Sequence, residues 1–313
     1  MPDLAIEVVD VAKTFNRSSP PALQGVSFAV PAGSVLGLLG PNGAGKTTTI
    51  NILSTLSLPT SGRARVAGFD VVTHGAEVRE AIGLTGQYAA VDEMLTGREN
   101  VVLFGRLRGL NRAQARQRAD ALLHQFSLSD AADRRVGKYS GGMRRRVDIA
   151  CGLVVPPDVL FLDEPTTGLD PRSRQDVWAL VSELRDAGIT VLLTTQYLEE
   201  ADALADDIVV IDNGTVIAQG SPDELKHRVG GSFCQVSPVA TGDLTRIATA
   251  LSGMAGLEVG ESSVSLPAPD GLATLAEVFR RIEPLEVAVA DISLRRPSLD
   301  EVFFRLTGAG ANA

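Results

Sequence analysis

The stretch Gly40-Pro-Asn-Gly-Ala-Gly-Lys-Thr47 satisfies the phosphate-loop pattern GxxxxGK followed by Ser or Thr. The purely apolar run Val35–Leu39 comes directly before it, and a helical pattern begins at Lys46. Strand, glycine-rich loop and helix form the context in which this pattern binds phosphate. The glycines let backbone N–H groups converge on phosphate oxygens, and the helix N-terminus adds its positive dipole end. A glycine-rich turn without function is the alternative, and that context argues against it.

Within this loop, the Lys46 ammonium is expected to reach the β- and γ-phosphates of a nucleotide, and the Thr47 hydroxyl to bind magnesium. The residues expected to contact the nucleotide phosphates here are Asn42, Gly43, Ala44, Gly45, Lys46, Thr47 and Thr48.

Two adjacent carboxylates, Asp163 and Glu164, follow a second apolar run over residues 159–162. If that run is a parallel strand, both carboxylates lie at the sheet edge where α/β proteins bind ligands. Asp163 then suits magnesium, through a water molecule, and Glu164 is placed to orient and deprotonate an attacking water. An isolated Asp-Glu pair more often caps a helix. The phosphate loop in the same chain is what favours the catalytic role.

A third motif, Tyr139-Ser-Gly-Gly-Met143, precedes an arginine-bearing helical pattern. Ser140 and the backbone amides of Gly141 and Gly142 are expected to form a second anion-binding helix start. Ser-Gly-Gly alone is a common loop sequence. Its position between the phosphate loop and the Asp163-Glu164 pair is what makes it informative.

The composition is that of a globular protein, with 313 residues, a hydrophobic share of 44% and a net charge of -9. This charge opposes general attraction to nucleic acid or to an anionic membrane surface, so no nucleic-acid partner is expected. No stretch approaches the roughly 20 consecutive apolar residues that a membrane-spanning helix needs. Any contact with a membrane is therefore expected to run through a protein partner.

The order of the elements predicts an α/β fold in two domains. Strands that alternate with helices indicate a largely parallel sheet, and the helical pattern of about 91–156 predicts a helical insertion. We place the first domain at 1–229. A second, small α+β domain at 230–313 has the order β-α-β-β-α-β, which is that of ferredoxin-like domains.

These motifs, in this order, resemble a nucleotide-binding subunit of the ATP-binding cassette (ABC) superfamily over about residues 4–220. The resemblance implies the phosphate-loop ABC-ATPase fold, with an antiparallel β subdomain beside the parallel core. It assigns Gln87 to the magnesium shell, Asp170 to the D-loop that links two sites, and Phe15 to stacking on adenine. A phenylalanine at such a position is otherwise more often part of a core.

The resemblance also implies ATP and Mg²⁺ as cofactors, ATPase activity and a head-to-tail dimer. Each ATP then lies between the phosphate loop of one copy and Ser140, Gly141 and Gly142 of the other. The expected partners are a second copy of the chain and integral-membrane permease subunits. The expected location is peripheral, at the cytoplasmic face of the membrane.

More narrowly, the segment Thr194–Asp202 and the terminal Arg296–Phe303 resemble the daunorubicin-resistance exporter ATPases of actinobacteria. Mycobacterial members of this group are linked to export of lipids such as phthiocerol dimycocerosates. The expected function is therefore to drive export of an anthracycline-like drug or a complex cell-envelope lipid. The membrane subunit, and not this chain, is expected to contact the cargo.

Two residues depart from the superfamily pattern: Gln196 stands where the switch histidine is usual, and Met143 ends the signature in place of glutamine. A glutamine amide can still donate a hydrogen bond to the γ-phosphate, but it cannot titrate near neutral pH. We assign catalytic roles to Lys46, Glu164 and Gln196. A degenerate, inactive cassette is the alternative.

Two other classes of protein stay open at this point. A cassette ATPase acting on ribosomes or DNA usually carries tandem cassettes or a long coiled-coil insertion, and the sequence has neither. A nucleotide-dependent regulatory protein without turnover would be separated from an ATPase by measuring hydrolysis with the membrane partner present.

Overall fold

The computed structural model describes residues 3–16, 20–86, 90–229, 232–295 and 298–307. The chain folds into two compact units, Met1–Ser221 and Pro222–Ala313. Along the part of the chain that the structure describes, no helix is both long and apolar enough to cross a membrane.

The first unit contains, in chain order, β1 Leu4–Lys13, β2 Leu23–Pro31, β3 Val35–Leu39, α1 Lys46–Leu53, β4 Ser61–Val66, β5 Phe69–Asp70, α2 Gly75–Ala81, β6 Ile82–Thr85, α3 Gly97–Leu107, α4 Arg112–Gln125, α5 Gly141–Gly152, β7 Val159–Asp163, α6 Pro171–Asp186, β8 Thr190–Thr195, α7 Leu198–Leu204, β9 Asp207–Asp212 and β10 Thr215–Gly220.

The central sheet of the first unit has six strands in the order β10-β9-β3-β8-β7-β6. All neighbouring pairs are parallel except β9 with β10. Every residue of β3, β7 and β8 is buried, as expected of parallel strands covered on both faces. Leu39 pairs with Thr195 and Asp163 with Thr194, so the carboxyl ends of these three strands meet at one edge. The predicted parallel core is confirmed.

An antiparallel sheet in the order β2-β1-β4-β5 shares a hydrophobic core with α1 and one face of the central sheet. The helices α3, α4 and α5 contribute to a second core on the opposite face, which includes Val101, Leu122 and Val147. Both α3 and α4 begin at capping boxes, Thr96 with Glu99 and Asn111 with Gln114, which satisfy the free N–H groups of their first turns. The predicted antiparallel and helical parts of the fold are therefore present.

The second unit contains α8 Pro222–Val229, β11 Phe233–Pro238, α9 Leu244–Leu251, β12 Glu258–Val259, β13 Val264–Pro267, α10 Leu272–Ile282, β14 Val289–Arg295 and α11 Leu299–Thr307. Its sheet runs β12-β13-β11-β14 with antiparallel pairs throughout, which is the ferredoxin-like order. Side chains of α9 and α10, such as Ile247 and Val278, fill the core over this sheet. The structure groups α8 with the second unit, whereas the boundary expected from the sequence places it in the first. The reason is that α8 packs against α11 from the end of the chain.

Candidate active site

The phosphate loop connects β3 to α1 and depends on glycine at one tightly packed position. Gly45 has φ +110°, in the left-handed region that side chains disfavour. A Cβ atom at Gly45 would lie 2.6 Å from Leu23 Cδ2 and 2.8 Å from the Ala22 carbonyl oxygen. The loop therefore approaches the antiparallel sheet too closely for any other residue.

Lys46 is the first residue of α1, and its side chain is buried among oxygens. The ammonium donates to the carbonyl oxygens of Gly40 at 2.8 Å and Pro41 at 3.2 Å, and it lies 3.5 Å from Glu164 Oε1. Burial lowers the pKa of Lys46, while the carboxylates of Glu164 and Asp163 oppose that shift. The cation is thus held over the loop, beside both carboxylates.

Asp163 ends β7 with its carboxylate held by hydroxyl groups from two neighbouring elements. Thr47 Oγ1 lies 3.1 Å from Asp163 Oδ2, and Thr194 Oγ1 donates to Asp163 Oδ1 at 2.6 Å. These contacts follow from the sheet register, because β8 lies between β3 and β7 and Thr194 pairs with Asp163. The structure therefore brings the predicted Thr47 and Asp163 together.

Glu164 adopts a left-handed backbone conformation with φ +49°, which is uncommon for a side chain of this type. Its N–H is shared between Thr194 Oγ1 at 2.9 Å and the Thr194 carbonyl oxygen at 3.2 Å. Its Oε1 faces Lys46, and its Oε2 accepts from Thr167 Oγ1 at 3.3 Å. Backbone strain of this kind often accompanies a functional side chain that must point in one direction.

The signature residues lie at the start of α5, where Ser140 Oγ accepts from the Met143 N–H at 3.3 Å. A Cβ atom at Gly142 would lie 2.5 Å from Ser173 Oγ, so the absence of a side chain lets α5 pack against the start of α6. Gly141 and Glu164 both line a pocket of about 180 Å³. The helix α5 therefore begins beside the Glu164 carboxylate of its own chain.

Asp170 caps α6 rather than facing a ligand within the chain. Its Oδ1 accepts from the Ser173 N–H at 3.0 Å and its Oδ2 from Ser173 Oγ at 2.6 Å. These hydrogen bonds hold the pKa of Asp170 below its ordinary value. The residue is exposed to solvent.

The remaining predicted residues lie at the rim of this site or apart from it. Gln196 is half-buried one residue beyond β8, and so lies at the same sheet edge as Asp163. Phe15 is 61% exposed after β1, with the Lys13 ammonium 4.9 Å from its ring centroid. Gln87 lies outside the described residues.

The other loop residues differ in exposure along the turn. Asn42 and Gly43 are exposed, Ala44 is buried, and Thr48 lies half-buried on α1 behind Thr47. Asn42, Gly43 and Thr47 are therefore the exposed residues among those expected to contact the nucleotide phosphates.

Thr194 and Arg145 also belong to the site, although no sequence motif assigned either of them a role. Thr194 bonds both Asp163 and Glu164, and Arg145 donates to the Asp163 carbonyl oxygen at 3.1 Å. A polar residue at the carboxyl end of a buried parallel strand is the signal that could have identified Thr194. No local pattern identifies Arg145.

Chemically, the site combines a buried ammonium, a hydroxyl beside a carboxylate, and a second carboxylate held in a fixed direction. Such a set suits phosphate binding, a divalent cation with oxygen ligands, and activation of water.

Known proteins that are similar to this chain indicate one family. The family described as ABC transporter matches residues 23–167. The doxorubicin resistance ATP-binding protein of Mycobacterium tuberculosis is 56% identical over 311 residues, which cover 97% of this chain and 94% of that protein. The daunorubicin/doxorubicin resistance ATP-binding protein of Streptomyces peucetius is 50% identical over 318 residues, covering 99% and 94%.

Among solved structures, a dimeric ATP-binding cassette in a post-hydrolysis state, bound to ADP and Pi, matches with a TM-score of 0.63 and 26% identity. The match covers 69% of this chain and 98% of that one. The chain belongs to the ABC transporter family of ATPases and, within it, to the group of daunorubicin and doxorubicin resistance ATP-binding proteins.

Proposed function

We propose that the chain binds and hydrolyses ATP to drive export of an anthracycline-like drug, or of a complex cell-envelope lipid, through a separately encoded membrane permease. The observation that carries this proposal is the convergence of Lys46, Thr47, Asp163 and Glu164 at one sheet edge. The names of relatives that are 50% and 56% identical support a drug as cargo.

Hydrolysis needs a cation for the phosphates and a base for water. The Lys46 ammonium would exchange the carbonyl oxygens of Gly40 and Pro41 for β- and γ-phosphate oxygens. Glu164 then orients a water molecule and takes its proton as the water oxygen bonds to the γ-phosphorus. The bond from that phosphorus to the bridging oxygen breaks, and ADP leaves with the electron pair.

Mg²⁺ fits the residues at the end of β7 and in the first turn of α1. Thr47 Oγ1 and the Asp163 carboxylate are hard oxygen ligands 3.1 Å apart, and Mg²⁺ usually takes few protein ligands beside phosphate and water. Among the described residues there is no all-protein cluster of three or more His, Cys, Asp or Glu side chains for a metal. Thr47 and Asp163 would therefore hold the ion together with Gln87, and the ion would neutralise charge on the phosphates.

A second copy of the chain completes the proposed site. Ser140 and Gly141 are exposed at the start of α5, where free N–H groups and the helix dipole suit a γ-phosphate. In a head-to-tail dimer, Ser140, Gly141 and Gly142 of one copy cover the nucleotide on the phosphate loop of the other. Asp170, exposed at the start of α6, would link the two sites.

Two further residues would contact the nucleotide. Gln196 would donate its amide to the γ-phosphate from the end of β8, and the exposed Phe15 ring would stack on adenine. The chain would sit at the cytoplasmic face of the membrane through its permease.

Inside-out vesicles that contain the permease and the full chain test this function. We expect ATP-dependent accumulation of doxorubicin, followed by its fluorescence, and loss of accumulation with Glu164→Gln. Accumulation of a labelled dimycocerosate lipid instead would assign lipid as the cargo. Accumulation of either compound at the same rate without ATP, or with Glu164→Gln, would contradict the proposed function.

A further inference from the structure

Arg145 and Asp148 form a buried ion pair on α5 that the catalytic scheme does not use. Their side chains are 8% and 3% exposed, and Arg145 Nη1 lies 3.4 Å from Asp148 Oδ2. Buried charges of this kind are retained only where several partners satisfy them. The other hydrogen bonds of Arg145 and Asp148 therefore show which parts of the backbone the pair connects.

The guanidinium of Arg145 joins α5 to the carboxyl ends of two neighbouring strands. Its Nη1 donates to the Gly86 carbonyl oxygen at 2.7 Å, directly after β6, and its Nη2 donates to the Asp163 carbonyl oxygen at 3.1 Å. Since β6 and β7 are parallel neighbours, one planar side chain bridges both strand ends.

Asp148 extends the contact to a third backbone group. Its Oδ1 accepts from the Ala90 N–H at 2.8 Å. Gly86 and Ala90 stand on either side of Gln87, so the ion pair bonds the backbone before and after this residue. The same helix carries Ser140 and Gly141 at its start.

Three carboxylates near Arg145 favour its charged form despite its burial. Burial lowers the pKa of Arg145, and the carboxylates of Asp148, Asp163 and Glu200 oppose that shift. A lysine at this position would keep the charge but lack the fork of donors that reaches two carbonyl oxygens at once.

We propose that Arg145, together with Asp148, is a positioning residue for ATP hydrolysis: it ties the signature helix to the backbone of Gly86, Ala90 and Asp163. It acts through these groups and does not touch the nucleotide. A movement of α5, whose start would meet the partner's nucleotide, would thereby be transmitted to the backbone of Asp163, whose carboxylate would hold the metal. The proposal rests on the ATPase function, because positioning matters only where turnover occurs.

Arg145→Lys in the full chain, assayed with its permease, is the direct test. We expect kcat to fall about 10- to 100-fold while the Kd for ATP changes less than about threefold, since groups are misplaced rather than removed. Arg146→Lys is the matched control, because Arg146 lies on the same helix and donates to the Phe126 carbonyl oxygen at 3.1 Å. Its kcat should equal that of the wild type.

A double-mutant cycle separates this role from a merely structural one. If the pair acts as a unit, Arg145→Lys combined with Asp148→Asn should lower kcat no further than the stronger single variant. The proposal would be overturned if the fold-loss in kcat of the double variant equalled the product of the losses in the two single variants. A kcat for Arg145→Lys within twofold of the wild type would also overturn it.

Hydrogen exchange of the full chain gives a readout that does not depend on turnover. Peptides that contain Ala90 should exchange faster in Arg145→Lys and in Asp148→Asn, but not in Arg146→Lys. Unchanged exchange in both variants would refute the proposal that Arg145 and Asp148 hold the backbone of Ala90 to α5. Absence of turnover in the wild type, with the exchange differences present, would instead count against the ATPase function.

Discussion

Thr194→Val removes one hydroxyl that holds both carboxylates of the site. Thr194 is fully buried, and its Oγ1 donates to Asp163 Oδ1 at 2.6 Å and accepts from the Glu164 N–H at 2.9 Å. Valine has nearly the same shape, so the substitution deletes hydrogen bonds without opening a cavity. The bond to the charged carboxylate is worth about 1.5 to 3 kcal/mol.

This magnitude sets the expected change in rate. Without Thr194 Oγ1, the Asp163 carboxylate keeps only the Thr47 hydroxyl among its side-chain partners in the described residues. If the lost bond supports the transition state, each 1.4 kcal/mol costs about a factor of ten, so kcat should fall about 10- to 100-fold. Steady-state hydrolysis of ATP by the full chain with its permease, at saturating Mg²⁺, measures the change.

Thr190→Val is the matched control on the opposite end of β8. Thr190 is equally buried, and its Oγ1 accepts from the Gly33 N–H at 2.9 Å, away from the site. This variant should lose about 1 kcal/mol of unfolding free energy and keep its kcat. A kcat for Thr194→Val within twofold of the wild type, or equal losses in both variants, would refute the reasoning.

Gly45→Ala should abolish ATP binding, measured by equilibrium titration, because its Cβ would lie 2.6 Å from Leu23 Cδ2; near-normal affinity would contradict the close packing of the loop. Burial raises the pKa of Asp148 from 3.8 to about 6, so the fold favours the protonated acid, and the stability it contributes at low pH is lost as the pH rises through about 6. The wild type should therefore gain unfolding free energy relative to Asp148→Asn as the pH falls from about 7.5 to about 5, as read from urea titrations, and an equal pH response in both proteins would contradict this. Gln196→His should add a titration near pH 6.5 to the kcat profile, since histidine ionises there and glutamine does not, whereas identical profiles would remove Gln196 from the reaction.

The parts of the fold that local patterns determine were predictable. An apolar run followed by a glycine-rich loop predicts β3, the loop and α1, because each feature lies within a few residues of the next. Asp163 at the end of a buried run is predictable for the same reason. The β-α-β-β-α-β order of the second unit follows from alternation of strand and helix patterns, and the structure confirms it.

The parts that depend on distant contacts were not predictable from one sequence. Thr194 and Asp163 are separated by 31 residues, and Arg145 and Gly86 by 59, and only the sheet register and the packing of α5 bring them together. The boundary between the two units also depends on a distant contact, because α8 belongs to the second unit through its packing against α11. Charged side chains inside a helical pattern normally indicate a solvated face, so nothing local marked Arg145 and Asp148 as buried.

The measurement that tests the central claim most directly is the separation of ATP binding from hydrolysis in Glu164→Gln. Glu164 is held by Thr194 and faces Lys46 at 3.5 Å, the geometry of a base beside the phosphate-binding cation. We expect the Kd for ATP to stay within about threefold of the wild type and kcat to fall by about two to four orders of magnitude, the usual contribution of a general base. Turnover of Glu164→Gln at near the wild-type rate would contradict the account.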